Sequence, residues 1–430
     1  MARLVSRVWL PKDVSLSVAR RFREPCRYEA YIPDPLSVHR GVLLSDDAGA
    51  DLAEAEAAIR RLNEVRPNVA DIEAMARLLL RAEAVGSSQI EDLKVGHRRM
   101  VEAEAARALG EPTRDVTAEA VLGNIEAMRY AVEELAAKPQ ISVGDLLETH
   151  RRLMERTQYA HLGGMVRTDQ NWIGGNDTNP CAAAFVPPPP EEVPALLGDL
   201  LDFVSSARFT PLVQAALAHA QFETIHPFGD GNGRVGRALI HVVLRRRGLA
   251  PHYVPPISLI LATHSKDYVA GLTASRYAGD PTDAEAAMGL ALWLQVFAAA
   301  TVRASRDAEL FGTQIDELVA RWRQQAAPIR AQSAADLLLP ILPAAPVITV
   351  KTAAELIGRS TQATNLAVKH LVQARVLVPI KQVKWGQAFE APGVIDALTG
   401  FERALATPMG DTRLEKPVRP VPDRRQGAAR

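Results

Sequence analysis

Apolar residues recur at three- and four-residue intervals through 51–65, 69–85 and 116–138, in segments rich in Ala, Leu, Glu and Arg. That period predicts amphipathic helices. Pro67, Gly110 and Pro112 punctuate them. A further helix is expected from Ser142 to Gln158, opened by a Ser–Val–Gly–Asp start. The periodicity then stops. Residues 163–190 are rich in Gly, Asn and Pro and end in four successive prolines at 187–190. They predict a long loop or hairpin, and such an interruption of a compact domain is often functional. Helical spacing resumes at 191–207, 212–225, 233–248 and 266–278, and a strongly apolar helix is expected around 284–304. Residues 323–333 read as a linker or the end of a long helix. After Pro346 the pattern changes again, and 401–430, rich in Pro and Arg, is expected to be disordered.

Composition narrows the class without naming a function. A chain of 430 residues can hold two or three domains, and 47% hydrophobic with 23% charged residues is ordinary for a soluble globular protein. Lys plus Arg and Asp plus Glu balance at 50 each, so a charged partner must be met by a local patch. Two cysteines, Cys26 and Cys181, supply neither a disulfide framework nor a zinc cluster, which favours a reducing compartment or simply structural thiols. The opening apolar stretch contains Arg3 and Arg7 and stops at Pro11, too short for a secretory signal. The apolar run at 286–302 is broken by Gln295 and falls short of a membrane span. The expectation is a cytoplasmic protein with no membrane partner.

Candidate chemistry concentrates in HPFGDGNGRVGR, residues 226–237. Taken by its residues, this is a helix end, a glycine-rich turn and a new helix. Gly229, Gly231 and Gly233 can adopt positive φ and expose backbone N–H groups. At a helix N-terminus such groups and the helix dipole form an anion site. Arg234 and Arg237 stand three apart, share a helical face and can grip two phosphates. Asp230 is a hard oxygen ligand beside that anion, suited to Mg²⁺ held mainly through phosphates and water. His226 is the nearby group able to accept a proton near neutral pH. Together these residues point to transfer of a phosphate-bearing group to a hydroxyl.

The segment resembles the Fic family signature, His-x-Phe-x-Asp/Glu-Gly-Asn-Gly-Arg-x-x-Arg, at every specified position. The resemblance implies a mainly α fold, a Fic-type helical core with a β-hairpin flap, and a protein adenylyltransferase acting on ATP with Mg²⁺. His226 would deprotonate the target hydroxyl, which attacks the α-phosphorus and expels pyrophosphate. Phe228 would anchor the loop, and Asp230 would hold the metal. Gly231, Asn232 and Gly233 would cradle the phosphates, while Arg234 and Arg237 would bind the outer ones, Arg237 the γ-phosphate. Residues 163–193 are similar to the family's flap, with strands at 167–175 and 182–187, beside which a target protein presents Ser, Thr or Tyr. The stretch HSKDYVAGLTASRYAGD resembles the wall for adenine and ribose, with Tyr268 and Arg276 as contacts and Val269 where a second aromatic is usual.

SSQIED at 87–92 is similar to the family's inhibitory motif, Ser/Thr-x-x-x-Glu-Gly/Asn, with Asp92 in the last place. In that scheme Ser87 and Glu91 share a helical face and Glu91 pairs with Arg237, occupying the γ-phosphate's position. Residues 349–398 read as helix, turn, helix and a short hairpin, similar to the C-terminal winged helix-turn-helix of many such proteins. Gln362, Asn365 and Lys369, with Lys381 and Lys384 in the wing around Trp385, offer a thin basic footprint. DNA binding, homodimer formation and target recognition stay open for this unit. The expected organisation is an N-terminal helical region with the inhibitory motif (1–112), a catalytic core (113–305), a linker helix (306–345), a winged helix (346–400) and a tail (401–430). A self-inhibited adenylyltransferase leads; a Fic-type enzyme that removes AMP and a nucleotide-sensing transcriptional regulator are the alternatives.

Overall fold

Helices carry most of the chain, as its period requires. The computed structural model describes residues 1–11, 24–38, 44–65, 67, 70–113, 115–380, 387–408, 410, 414–419 and 421. An antiparallel hairpin of β1 (Arg3–Trp9) and β2 (Cys26–Ile32) opens it, pairing Arg3 with Ile32 and Trp9 with Cys26. Then follow α1 (Asp46–Glu64), α2 (Ile72–Ile90), α3 (His97–Ala108) and α4 (Val116–Tyr130), the last running into a π turn at Ala131–Leu135. Side-chain caps fix the starts: Ser45 accepts from Ala48 N, and Asp71 accepts from the N–H groups of Glu73 and Ala74. Next comes α5 (Val143–Met154), whose Ser–Val–Gly–Asp start is a capping box between Ser142 and Asp145.

Beyond the flap lie α6 (Val193–Ser205), α7 (Pro211–Ile225), α8 (Asn232–Arg246), α9 (Ile257–Thr263) and α10 (Ser265–Ala274). Residues 212–225 of α7 and 232–244 of α8 are buried without exception. The two helices joined by the 226–237 loop are therefore the centre of the core, and the loop inherits their rigidity. Alongside them, α2 is held by a buried polar cluster. Glu83 accepts from Ser258 N at 2.8 Å and meets His241 Nε2 at 2.8 Å, which fixes the register of α2 against α8 and α9.

The apolar helix expected near 284–304 is the first half of α11 (Ala284–Gln325), 42 residues long. It buries Trp293, Phe297 and Phe311 on one side, with Met288, Leu292 and Leu310 exposed on the other. The linker expected at 306–345 thus consists largely of this helix, followed by α12 (Ala334–Leu338). The C-terminal unit contains β3 (Val347–Thr349), α13 (Val350–Ile357), α14 (Thr361–Gln373), β4 (Val378–Pro379), β5 (Ala388–Glu390) and α15 (Pro392–Leu405). Its sheet has the order β3-β5-β4, and Gly358 ends α13 in the left-handed region. Gln362, Asn365 and Lys369 lie on α14; Lys381, Lys384 and Trp385 lie outside the described residues.

Three expectations fail for physical reasons. Residues 401–405 belong to α15, and Phe401 stacks on Phe311 with ring centroids 4.2 Å apart, so the disorder expected from 401 on does not begin there. Arg419, further along, donates to Gln89 and Thr263. A Pro- and Arg-rich composition hid those anchors. The cysteines are not free thiols: Cys26 of β2 is bonded to Cys181, 155 residues away, with Cα atoms 6.2 Å apart. Only the packing of β2 on the flap, where Tyr31 N donates to Val186 O at 2.9 Å, brings them together. Finally, the two flap limbs meet at one antiparallel pair, Ile173 with Phe185, and not along two full strands. Prolines at 187–190 supply no N–H groups to a ladder.

Candidate active site

His226 closes α7 in the left-handed conformation, with φ 49° and ψ 61°. A non-glycine residue rarely sits there, and here its surroundings hold it. Its N–H donates to Phe222 O at 2.9 Å. Its carbonyl accepts from Arg167 Nε at 2.8 Å and from Asn171 Nδ2 at 3.1 Å. Arg167, itself buried, also donates to Pro188 O, Ile225 O and Asp169 O, so one guanidinium ties the flap to the turn. The His226 Nδ1 atom faces Glu223 O at 3.3 Å, and since a carbonyl only accepts, Nδ1 carries the proton in that contact. The nitrogen left for a substrate is Nε2. Burial pushes the imidazole down to about 4, beyond what the Glu223 carbonyl and Glu91 recover, so the ring is neutral at physiological pH.

The turn after His226 is braced from below. Phe228 is fully buried and stacks on His150 with centroids 3.8 Å apart. His150 Nδ1 accepts from Gly164 N at 3.1 Å, which leaves Nε2 to donate to Asp230 O at 3.0 Å. The Asn232 side chain spans the turn, accepting from Phe228 N at 2.8 Å and donating to Phe228 O at 2.9 Å. That amide is committed to the loop; what Asn232 can offer an anion is its backbone at the start of α8. Of the three glycines able to adopt positive φ, only Gly231 does so, at 80°. Gly233 is required for space: a Cβ there would lie 2.0 Å from Glu91 Oε1 and 2.7 Å from Arg237 Nη1.

Charges then converge on the mouth of α8. Asp230, partly exposed, accepts from Gly231 N at 2.7 Å and from Arg234 Nη2 at 3.3 Å. Arg234 is buried, and its Nε and Nη1 atoms have no partner among the described residues. Burial holds its guanidinium below its ordinary value, against the pull of Asp230. Arg237 is fully buried and donates through Nε to Ser87 Oγ at 2.9 Å, and through Nη2 to Ser87 O at 2.8 Å and Glu91 Oε1 at 2.7 Å. Burial favours the neutral Glu91 carboxyl, but the charge and hydrogen bond of Arg237 outweigh it and hold the group below its ordinary value. Asp92, by contrast, points to solvent and pairs with Lys94 at 2.6 Å. Its φ of 57° accounts for a position that glycine or asparagine fits best.

A cavity of about 870 Å³ opens between this loop, the flap and α10, with Glu91, Glu223, His226, Arg237, Tyr268 and Arg276 in its wall. Tyr268 is buried, its hydroxyl 2.9 Å from His219 Nε2, so packing fixes its ring. The Arg276 guanidinium lies 3.7 Å over the Phe185 ring, joining α10's end to the flap. Val269 lines the same cavity and is exposed. Of the residues singled out in the sequence, Glu91, His226, Asp230, Gly231, Asn232, Gly233, Arg237, Tyr268 and Arg276 line one cavity, while Ser87 bonds to Arg237 and Arg234 to Asp230. Reasoning from sequence missed His150, Arg167, Asn171 and Glu223. The last lies three residues before His226, within one helical turn, and that spacing was a usable signal.

Two family models match the chain: Fic/DOC family over residues 140–244 and Fic/DOC family N-terminal over residues 50–133. The chain is 36% identical over 138 residues to "Protein adenylyltransferase Fic" of Drosophila willistoni, covering 31% of this chain and 26% of the relative. It is 33% identical over 153 residues to "Protein adenylyltransferase fic-1" of Caenorhabditis elegans, covering 34% and 27%. The matched region spans only those shares, 26% and 27%, of the two relatives. A crystal structure of a Fic family protein from Desulfovibrio desulfuricans G20 aligns with a TM-score of 0.47 at 19% identity, over 81% of this chain and 97% of that one. Residues 50–133 and 140–244, with the 226–237 segment inside the second, are the part of this chain that matches the Fic/DOC family.

Proposed function

We propose that this chain is a protein adenylyltransferase that moves AMP from ATP to a hydroxyl of a protein segment docked at the flap, and that Glu91 holds it inactive. One observation carries the reading. A neutral His226, Asp230, the start of α8 and Arg237 line one cavity. The relatives named as protein adenylyltransferases support the same activity.

The chemistry follows from the placement. Backbone N–H groups at the start of α8 and the Arg234 guanidinium receive the phosphates. The target's O–H proton passes to His226 Nε2, the oxygen bonds to the α-phosphorus, and the bond from that phosphorus to the bridging oxygen breaks, releasing pyrophosphate. Mg²⁺, when bound, offsets charge on the phosphates. Asp230 is the residue that would hold it, partly exposed at the cavity. Among the described residues no group of three His, Cys, Asp or Glu could hold a metal alone. A single carboxylate therefore suits an ion whose other ligands are phosphate and water. Arg237 is taken by Ser87 and Glu91, so a γ-phosphate must displace Glu91 to reach it.

A second reading rests on Glu91 lining the same cavity as His226. Its ionised carboxylate could orient a water against an AMP-modified side chain, so that the site removes AMP. Incubation with α-³²P-ATP tests the first activity, and incubation with an AMP-modified protein and Mg²⁺ tests the second. Absence of label from both the natural chain and its Glu91→Gly variant would overturn the transferase reading.

A further inference from the structure

One ionisable group in the cavity has no part in the chemistry above. Glu223 lies on α7 one turn before His226; its side chain is about 10% exposed, and its Oε1 is buried with no partner among the described residues. A carboxylate oxygen in that state is costly unless the site uses it. The other oxygen, Oε2, stands 3.9 Å from His226 Nδ1, on the side of the ring already turned to the Glu223 carbonyl. A single residue thus presents both its carbonyl and its carboxylate to the nitrogen of His226 that does not meet substrate.

We propose that Glu223 is a positioning residue for the base, holding His226 as the Nδ1–H tautomer and offsetting the charge that the ring acquires when Nε2 takes the target's proton. This rests on the reading of His226 as the base. In the transfer step the proton leaves the target oxygen for Nε2, the Nδ1–H stays directed at Glu223, and the new imidazolium lies beside the Glu223 carboxylate. The logic is that of an acidic residue behind a catalytic histidine. It differs in supplying the orienting oxygen from the main chain and the charge from the side chain.

The surroundings make the assistance depend on pH. Burial pushes the Glu223 carboxyl up to about 7, Arg237 and Arg276 pull it down, and Glu91 adds to the rise. The groups facing the pair are Arg237 from α8, Glu91 from the end of α2, Tyr268 from α10, and Arg276 and Arg167 from the segment after α10 and the flap. His226 itself stays neutral down to about 4. Acid therefore reaches Glu223 first. As pH falls through neutrality the carboxylate is lost, and the rate falls while the base is still unprotonated.

The test uses the full chain in the Glu91→Gly background, measuring label transfer from α-³²P-ATP across pH. The reference should show an acid limb well above 4, with a rate change on the order of tenfold, as for one unit of imidazole basicity. Glu223→Gln should remove that limb and leave a flat, low rate equal to that of the reference in acid, with KM for ATP unchanged. Glu223→Asp should retain part of the limb. The proposal is overturned if the reference limb lies near 4, or if Glu223→Gln keeps it. It is also overturned if the main loss is a raised KM for ATP, which would assign the carboxylate to the nucleotide. His226→Ala is the separate control: transfer persisting in it would sink the base itself, whatever Glu223 does.

Discussion

Glu91 and Arg237, 146 residues apart in sequence, meet at 2.7 Å at the mouth of α8. The acid is the cap residue of α2 and partly open to the cavity, while the arginine is fully buried and keeps two further bonds to Ser87. Losing the acid therefore leaves the arginine in place with one donor free. Glu91→Gly should raise AMP incorporation from α-³²P-ATP on the order of tenfold or more, the scale of ordinary coupling energies. Arg237→Ala should cancel the gain. Because Asp92 faces solvent and pairs with Lys94, adding Asp92→Gly should change the rate little further.

The pH range of the proposed inhibition follows from the Glu91 carboxyl. Its value in the fold lies below the ordinary 4.5, so the pair is intact above that value and is lost as pH falls through the depressed one. The ratio of rates between Glu91→Gly and the natural chain should stay well above unity from about pH 6 to about pH 9, far above the range in which Glu91 itself takes a proton. A ratio that collapses toward unity near neutrality would contradict the assignment.

Arg167 is expected to matter for stability and turnover together. It holds the carbonyls of His226, Ile225 and Pro188; in Arg167→Ala those of Ile225 and Pro188 lose this donor and that of His226 keeps Asn171 alone. The loss should be about 2–4 kcal/mol, from buried acceptors left unsatisfied. Denaturant unfolding gives the energy, and the rate of AMP transfer at full folding gives the displacement of His226. Arg167→Lys should recover little, since an ammonium cannot span those carbonyls as a fork does.

Asp230 separates metal from phosphate binding. In the Glu91→Gly background, Asp230→Ala should lower transfer by about 10²-fold or more if the carboxylate holds Mg²⁺ on the triphosphate, and excess EDTA should silence the Glu91→Gly chain equally. Equal transfer in EDTA and in Mg²⁺ would remove the metal from the mechanism.

Much of the site was legible because its chemistry is local. The segment from His226 to Arg237 carries base, acid, turn and two arginines within one loop and one helical turn, and Ser87 and Glu91 are one turn apart. The helices were equally legible, because burial of one face imposes their period. What sequence could not give is what distant segments supply. His150 reaches Asp230 from α5, Arg167 reaches His226 from the flap, and Cys26 reaches Cys181 from β2. Each of those residues looks unremarkable beside its own neighbours. The β1–β2 hairpin escaped notice for a similar reason: its burial pattern is mostly exposed, so no apolar alternation announced it.

The crowding at Gly233 has a consequence for how the site can change. A single hydrogen there separates the start of α8 from the carboxylate of Glu91 and the guanidinium of Arg237. Any side chain at that place would push the latch out and obstruct the anion seat in one stroke. Release of restraint and loss of substrate grip are thereby tied to one position. A lineage could loosen control through Glu91 or Ser87 and keep its catalyst, but a drift at Gly233 would forfeit both, which makes this glycine the shared hinge pin of the switch and the engine.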